Sequence, residues 1–341
     1  MKIAINGFGR IGRIITRELF LQKNLREKLE LVAVNDLSTP KDLAFLVKRD
    51  SLHGTLPLEV KSDAESITID GQRILVCKES KPENLPWAKL GVDVVFECTG
   101  RFTDKDSAST HLKAGAKKVI VSAPAKGVDA TIVMGVNHKV YDAAKHTVIS
   151  NASCTTNCLA PIAYVLNKKF GIERGLMTTV HSYTSDQRLL DNVHSDHRRA
   201  RAAAVSMIPT TTGAAKTVGK VIPELEGKLD GFSIRVPTAD VSFTDFVVTL
   251  KTKVSKEEIN EALIQAAREE LKGVLETTDE PLVSSDFIGN RNSSIVDLDL
   301  TNVMSEGSDS KGTMVKVCSW YDNEVGFSNR MLDLAAYMAS K

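Results

Sequence analysis

The chain has 341 residues, 42% of them hydrophobic and 26% charged, and its 44 basic against 43 acidic side chains leave a formal net charge of +1. That length allows two domains and a large buried core, and the even charge balance gives no electrostatic ground for nucleic acid or a membrane surface as the main partner. The opening MKIAING runs straight into glycines and does not read as a signal peptide, no stretch approaches a spanning length, and five irregularly spaced cysteines (Cys77, Cys98, Cys154, Cys158, Cys318) make no disulfide framework, so a reducing, cytoplasmic compartment is expected.

In chain order, Lys2–Asn6 reads as a strand, and Arg10 to about Gln22 puts Ile11, Ile14, Ile15 and Leu19 on one helical face. Leu31–Asn35 is the next buried strand, and the alternating run SITIDGQRIL turns at Asp70 and Gly71, a hairpin signal. DVVFECTG, KVIVSAP, ATIVMGV and TVISNAS follow, each closing in small or turn residues. Strand and helix in repetition imply an α/β fold with a mostly parallel sheet. After Cys154 the pattern changes. A helix from about Thr155 to Lys168 leads to the strand GLMTTVHSYT and then to a polar, arginine-rich stretch reaching about Ala204. The longer runs FSIRVPT, DFVVTLKT, SIVDLDLT and MVKVCSWY predict a mainly antiparallel sheet in an α+β domain. Ser255 with Glu258 forms a capping-box pattern ahead of a surface helix whose apolar face is Ile259, Leu263, Ala266 and Ala267, with Gly273 beyond its end.

Gly7-Phe8-Gly9-Arg10-Ile11-Gly12 fits G-x-G-x-x-G between a predicted strand and a predicted helix. The first glycine permits the tight turn, the second lets backbone approach a pyrophosphate, and the third lets helix and strand pack closely, with the helix N-terminus toward the phosphates. Glycine-rich turns are common in α/β proteins, so the pattern gains weight from its place at the end of the first strand. Asp36, closing the second strand, stands where a carboxylate accepts hydrogen bonds from the adenine ribose and repels a 2′-phosphate, which favours NAD over NADP.

SNASCTTNC places Cys154 at a helix N-terminus, where free N–H groups and the helix dipole favour thiolate. Cys158 falls one turn inside, beside Leu159, Ala160 and Ile162, where a thiol is a small hydrophobe. A disulfide across successive turns is awkward in geometry, and a zinc site lacks a second closely spaced Cys/His pair; Cys154 is therefore the candidate nucleophile and no metal is expected. Spacing alone does not select a base among His53, His111, His138, His146, His181, His194 and His197. His181, where the strand TTVHSYT meets hydroxyl residues, fits the role best.

NGFGRIGR, VND, TGRF, SNASCTTNC, HSYTSDQ, RRARAAA, PTTTGAAK, RVPT and SWYDNEVGF stand in this order over the whole chain. The sequence thereby resembles the phosphorylating glyceraldehyde-3-phosphate dehydrogenases; the cysteine motif, TTTGAAK and RVPT are the specific segments. The resemblance implies a Rossmann-type NAD-binding domain over 1–152, joined by a C-terminal helix within 319–341, and a catalytic domain over 153–318. It implies Cys154 as nucleophile and His181 as general base, with a thioester that inorganic phosphate splits to an acyl phosphate. Thr184 and Arg235, with Asp186 close by, correspond to a substrate-phosphate pocket, and Ser153, Thr155, Arg199, Thr212 and Gly213 to an inorganic-phosphate pocket. Hydroxyls, a glycine N–H and guanidinium forks suit phosphate. For the cofactor, Gly7, Gly9, Arg10, Ile11 and Gly12 correspond to the pyrophosphate loop, Asp36 to the ribose contact, Thr99, Gly100 and Ser122 to later strand ends, and Asn323 to the group that orients the nicotinamide amide. A homotetramer is the family's usual assembly.

The chain departs from that pattern at Ser80, where many members carry a basic residue over the adenine, and at Asn192-Val193, where Leu-Pro is common. Ala239-Asp240 stands in place of Pro-Asn, and Val325 in place of an aromatic residue. None removes a catalytic group. Erythrose-4-phosphate dehydrogenase shares nucleophile and base, but HSYT and TTTGAAK side with the glyceraldehyde-phosphate enzymes. A non-catalytic nucleotide- or RNA-binding relative would be signalled by loss of Cys154 or His181. Oxidation sensing is expected only as a side property of an accessible thiolate.

Overall fold

The run Lys2–Asn6, buried at every residue but the first, becomes the central strand of a nine-stranded sheet. In the computed structural model, which describes residues 1–305 and 310–341, the chain divides into two units. One comprises Met1–Met134, His138–Ser153 and Ser328–Lys341, the other Gly135–Asn137 and Cys154–Phe327.

In the first unit the strands lie in the order Ala130–Thr131, Val148–Ser150, Lys118–Val121, Val94–Glu97, Lys2–Asn6, Glu30–Asn35, Gln72–Cys77, Ser66–Ile69 and Val60–Ser62. All pairings are parallel up to Gln72–Cys77; the last two strands add on antiparallel. The hairpin turns where the sequence places it, with Asp70 at φ 49° and Gly71 at φ 79°, the double left-handed pair that matches strand twist. From Lys2–Asn6 the chain winds first to one side and then, from Val94, to the other. The reversal lies between those two strands, at whose carboxyl ends stand Gly7 and Thr99, the place where open α/β sheets bind ligands.

ATIVMGV contributes only Ala130–Thr131 to the sheet; Ile132 and Val133 are buried outside it, and Gly135 takes φ 83°. The last helix runs Val325–Met338, and the segment expected to rejoin the first domain from 319 does so only from Ser328. The reason is that Gly312–Tyr321 is an interior strand of the second sheet, paired on both sides.

The second unit's seven strands run Ile208–Thr211, Leu229–Val236, Ile172–Ser182, Ser242–Val254, Gly312–Tyr321, Ser294–Met304 and Leu275–Thr278. Four of the pairings are antiparallel, whereas Ile172–Ser182 with Leu229–Val236, and Leu275–Thr278 with Ser294–Met304, are parallel. From Ser242 to Leu250 the strand Ser242–Val254 alternates buried and half-buried residues, the signature of a sheet covered on one face. The helices Cys154–Phe170, Ala214–Val221 and Lys256–Arg268 pack with these strands. Ser255 accepts from Glu258 N–H and Glu258 from Ser255 N–H, the expected reciprocal cap; the buried positions are Ile259, Ala262, Leu263 and Ala266, with Ala262 taking the place expected for Ala267. Among the described residues no helix is long and apolar enough to cross a membrane.

Candidate active site

Cys154 is the first residue of the helix Cys154–Phe170, and His181 the penultimate residue of the strand Ile172–Ser182. Their side chains meet, with Cys154 Sγ 3.5 Å from His181 Nε2. The other ring nitrogen settles the tautomer: Nδ1 lies 2.7 Å from the carbonyl oxygen of Ser182, a distance only an N–H donor tolerates, so Nε2 carries the lone pair and faces the thiol. Arg235 sits in register with His181 on the neighbouring parallel strand and gives Nη1 to the same Ser182 oxygen, at 3.1 Å, and to Thr184 Oγ1, at 3.2 Å. Burial and this guanidinium push the His181 pKa down to about 3. The imidazole is therefore a neutral acceptor through the ordinary pH range.

The thiolate expected from the helix terminus does not follow in this state. Desolvation of the half-buried Cys154 raises its pKa above the ordinary thiol value and outweighs Arg235, the Thr155 hydroxyl and N–H, and its own N–H, all of which pull it down. The resting pair is thiol and neutral imidazole. Cys158 is buried, with Sγ 3.7 Å from Ser294 Oγ, and burial lifts its pKa to about 11, so it is no competing nucleophile.

Sequence reading passed over Tyr321. Its hydroxyl lies 2.8 Å from both Thr155 Oγ1 and Thr179 Oγ1, and its ring meets His181 edge-on at 5.9 Å. A buried tyrosine fastened at both ends braces the helix N-terminus against the strand that carries the base. Nothing in SWYDNE announced this, because the contact depends on strand register: Tyr321 pairs with Ser242, and Thr244 with Thr179.

Of the anion-site candidates of this unit, Arg235 meets Thr184 and Arg199 meets Asp186. Arg199 donates from Nη1 to Asp186 Oδ2 at 2.6 Å and from Nε to Thr210 Oγ1 at 3.0 Å. Asp186 is held below the usual carboxylate range by Arg199 and His194, despite partial burial. Thr212 Oγ1 accepts from Ala214 N–H, and Gly213 is the N-cap of Ala214–Val221, with open space where its Cβ would stand. Thr155 spends its hydroxyl on Tyr321. Ser153, the residue before the nucleophile, ends a segment of the first unit. Asn323, by contrast, lies in the second unit, with Oδ1 2.8 Å from the hydroxyls of both Ser182 and Ser242.

In the first unit a cavity of about 320 Å³ opens at the sheet reversal, lined in part by Gly7, Gly9, Asp36, Glu79, Ser80 and Thr99. Gly7 has φ 90°, and a Cβ there would strike Thr99 N at 2.6 Å; a Cβ on Gly12 would strike the Gly7 carbonyl oxygen at 2.4 Å. A Cβ on Gly9 would meet nothing within 4 Å. The third glycine is thus demanded by the fold, while the second keeps open space beside the loop, which is how the residues present fit a pyrophosphate. Asp36 takes Phe8 N–H at 3.1 Å and Ser38 N–H at 3.0 Å, which ties the carboxylate to the loop. Arg10 and Ile11 open the helix Arg10–Leu21, and the Arg10 guanidinium pairs with Asp50 at 2.8 Å. Gly100 has φ 70°, and Ser122 N–H bonds the Glu97 carbonyl at 3.0 Å.

Beneath the loop lies a polar network that the sequence did not announce. The buried Glu97 carboxylate accepts from Asn6 Nδ2, Thr99 N–H, the Thr99 hydroxyl and His111 Nε2. Trp87 Nε1 donates to His111 Nδ1 at 3.0 Å, which leaves Nε2 as the ring's donor and Glu97 with acceptor positions only. Asn35 extends the chain to Asn6 and to both main-chain groups of Glu79.

Residues 1–105 match the family model described as the NAD binding domain of glyceraldehyde 3-phosphate dehydrogenase, and residues 153–323 match the C-terminal domain of the same family. The chain is 57% identical over 340 residues to glyceraldehyde-3-phosphate dehydrogenase 1 of Bacillus cereus, covering 100% of this chain and 99% of that protein. It is likewise 57% identical over 341 residues to the glyceraldehyde-3-phosphate dehydrogenase of Geobacillus stearothermophilus, with 100% and 99% covered. The enzyme of the same name from Zymomonas mobilis is 57% identical over 341 residues, with 99% and 98% covered.

Proposed function

Because this chain belongs to the glyceraldehyde 3-phosphate dehydrogenase family, we propose that Cys154 and His181 are the nucleophile and base of an NAD-dependent aldehyde oxidation coupled to phosphate. The activity is that of a glyceraldehyde-3-phosphate dehydrogenase, with glyceraldehyde 3-phosphate and inorganic phosphate as substrates and NAD as cofactor. The observation that carries the residue roles is the Cys154–His181 pair at 3.5 Å, with the imidazole held in the accepting tautomer.

As Cys154 sulfur bonds to the aldehyde carbon, His181 Nε2 takes the thiol proton and returns it to the new alkoxide, giving a thiohemiacetal. The same nitrogen removes that hydroxyl proton as hydride leaves the carbon. Bound nicotinamide supplies the hydride acceptor. The thioester on Cys154 is then attacked by a phosphate oxygen; the C–S bond breaks, the acyl phosphate departs, and the proton on His181 returns to sulfur. Arg235 and Thr184, with Asp186 adjoining, would hold the substrate phosphate, and Ser153, the Thr155 main chain, Arg199, Thr212 and Gly213 the inorganic one. Gly7, Gly9, Arg10, Ile11 and Gly12 would face the pyrophosphate, Asp36 the ribose, Thr99, Gly100 and Ser122 the rest of the dinucleotide, and Asn323 the carboxamide. These roles go with a cofactor domain over 1–152 that the C-terminal segment joins from Ser328, and with catalysis on the second unit, where residues 319–327, Asn323 among them, extend the expected 153–318.

Assembly as a homotetramer in the cytoplasm completes the reading. Association of copies is supported by large apolar side chains left exposed on this chain, Leu176, Phe232 and Met314 on strands, and Leu189, Leu190 and Val193 in the arginine-rich stretch.

The test is NADH formation from glyceraldehyde 3-phosphate and NAD, with and without phosphate, beside Cys154→Ser and His181→Asn. Turnover that needs phosphate and disappears in the cysteine variant is expected. Phosphate-independent turnover, or a fully active Cys154→Ser protein, overturns the thioester route.

A further inference from the structure

Asn323 is buried to 7% exposure, and its amide is fixed by hydrogen-bond accounting rather than by shape. Ser182 Oγ and Ser242 Oγ each stand 2.8 Å from Asn323 Oδ1, and Ser242 Oγ also accepts the Ser182 main-chain N–H at 3.1 Å. Both serines are buried, at 0% and 1% exposure. With the amide as found, each hydroxyl proton has an acceptor. Turned over, Asn323 would donate to both serines, and two buried hydroxyl protons would be left without one among the described residues, which is costly for buried groups. Both contacts are made by Oδ1 and neither uses the Nδ2 group. Asp322 steadies the segment from behind, its carboxylate taking the N–H groups of Gly289, Glu324 and Val325.

We propose that Ser182 and Ser242 are positioning residues that lock Asn323 with its nitrogen outward, so that the chain offers the nicotinamide carboxamide a donor for its carbonyl oxygen and not an acceptor for its NH₂. This rests on the reading of Asn323 as the carboxamide contact. One consequence is a continuous chain of hydrogen bonds. His181 Nδ1 donates to the Ser182 carbonyl, Ser182 N–H donates to Ser242 Oγ, and Ser242 donates to Asn323. The orientation of the base and that of the carboxamide donor are set by one serine pair.

The experiment measures binding, not turnover, with the full-length protein. NAD and ADP-ribose, which has no carboxamide, are titrated against the parent protein, Ser182→Ala, Ser242→Ala and Asn323→Ala. Each serine variant is expected to weaken NAD about 3- to 10-fold, the value of one neutral hydrogen bond, and to leave ADP-ribose within about 2-fold. Unchanged NAD affinity in both serine variants overturns the lock, as does an equal loss for ADP-ribose. A second arm needs no serine variant: the 3-acetylpyridine analogue of NAD keeps the carbonyl oxygen but lacks the NH₂. It is expected to lose affinity on Asn323→Ala by the same factor as NAD; indifference of the analogue, while NAD is weakened, means that an acceptor faces outward and overturns the proposal. If Asn323→Ala leaves NAD itself unaffected, the assignment of Asn323 to the carboxamide fails, whatever the serines do.

Discussion

Arg235 Nη1 lies 3.1 Å from His181 Nδ1, and the two groups act on each other through space, because the Ser182 carbonyl oxygen takes the protons of both. A cation held this close opposes protonation of the ring, while the carbonyl fixes which nitrogen stays bare. The same arginine favours the ionised sulfur of Cys154. Arg235 thus lowers the cost of charge on the nucleophile and raises it on the base, and the two effects are tied to one side chain.

The pH dependence of stability follows from the ring. With the folded pKa near 3 and the ordinary value 6.5, the unfolded chain binds a proton at His181 across that interval and the folded protein does not. Stability from this residue is complete above pH 6.5 and falls as pH drops toward 3, with a limiting slope of about 1.4 kcal/mol per pH unit. Urea midpoints measured at pH 7.5, 5.5 and 4.5 are expected to fall more steeply for the parent protein than for His181→Asn. Parallel declines would mean that the folded protein protonates His181 readily.

The three glycines of the loop separate fold from ligand. Gly12→Ala drives a methyl into the Gly7 carbonyl oxygen at 2.4 Å, so it is expected to lower the melting temperature and NAD affinity together. Gly9→Ala meets no protein atom within 4 Å. It is expected to leave the melting temperature unchanged and to weaken NAD about 10-fold or more, because the added methyl occupies space a pyrophosphate needs. Thermal melts with and without NAD decide the matter; a Gly9→Ala protein with full affinity would remove that residue from the phosphate contact.

Local pattern carried much of this fold, and the reasons are visible residue by residue. The alternation in Ser66–Ile69, the two turn residues Asp70 and Gly71, and the Ser255–Glu258 cap are decided by neighbours in sequence, so sequence displays them. The place of Cys154 at a helix start was legible for the same reason, but its ionisation was not. Burial is set by distant chain, and here it outweighs the helix terminus. The parallel pairing of Ile172–Ser182 with Leu229–Val236, which sets Arg235 beside His181, is also a tertiary fact. So are the Glu97–His111–Trp87 network and the Tyr321 bridge, whose members lie between 14 and 166 residues apart.

That bridge yields the last prediction. Tyr321→Phe keeps the ring against His181 but removes the oxygen shared by Thr155 and Thr179, leaving two buried hydroxyls without that partner. The cost to stability is about 1–3 kcal/mol, the usual penalty for unsatisfied buried groups, and it is read as a lower urea midpoint. The Thr155 hydroxyl also helps to hold down the Cys154 pKa, so freeing it to turn away raises the thiol further. Alkylation of Cys154 by iodoacetamide, followed against pH without cofactor, is then expected to shift to higher pH in the variant, with kcat reduced and NAD affinity unchanged. A destabilised variant with an unshifted alkylation profile would mean that the bridge braces the fold and leaves the nucleophile alone.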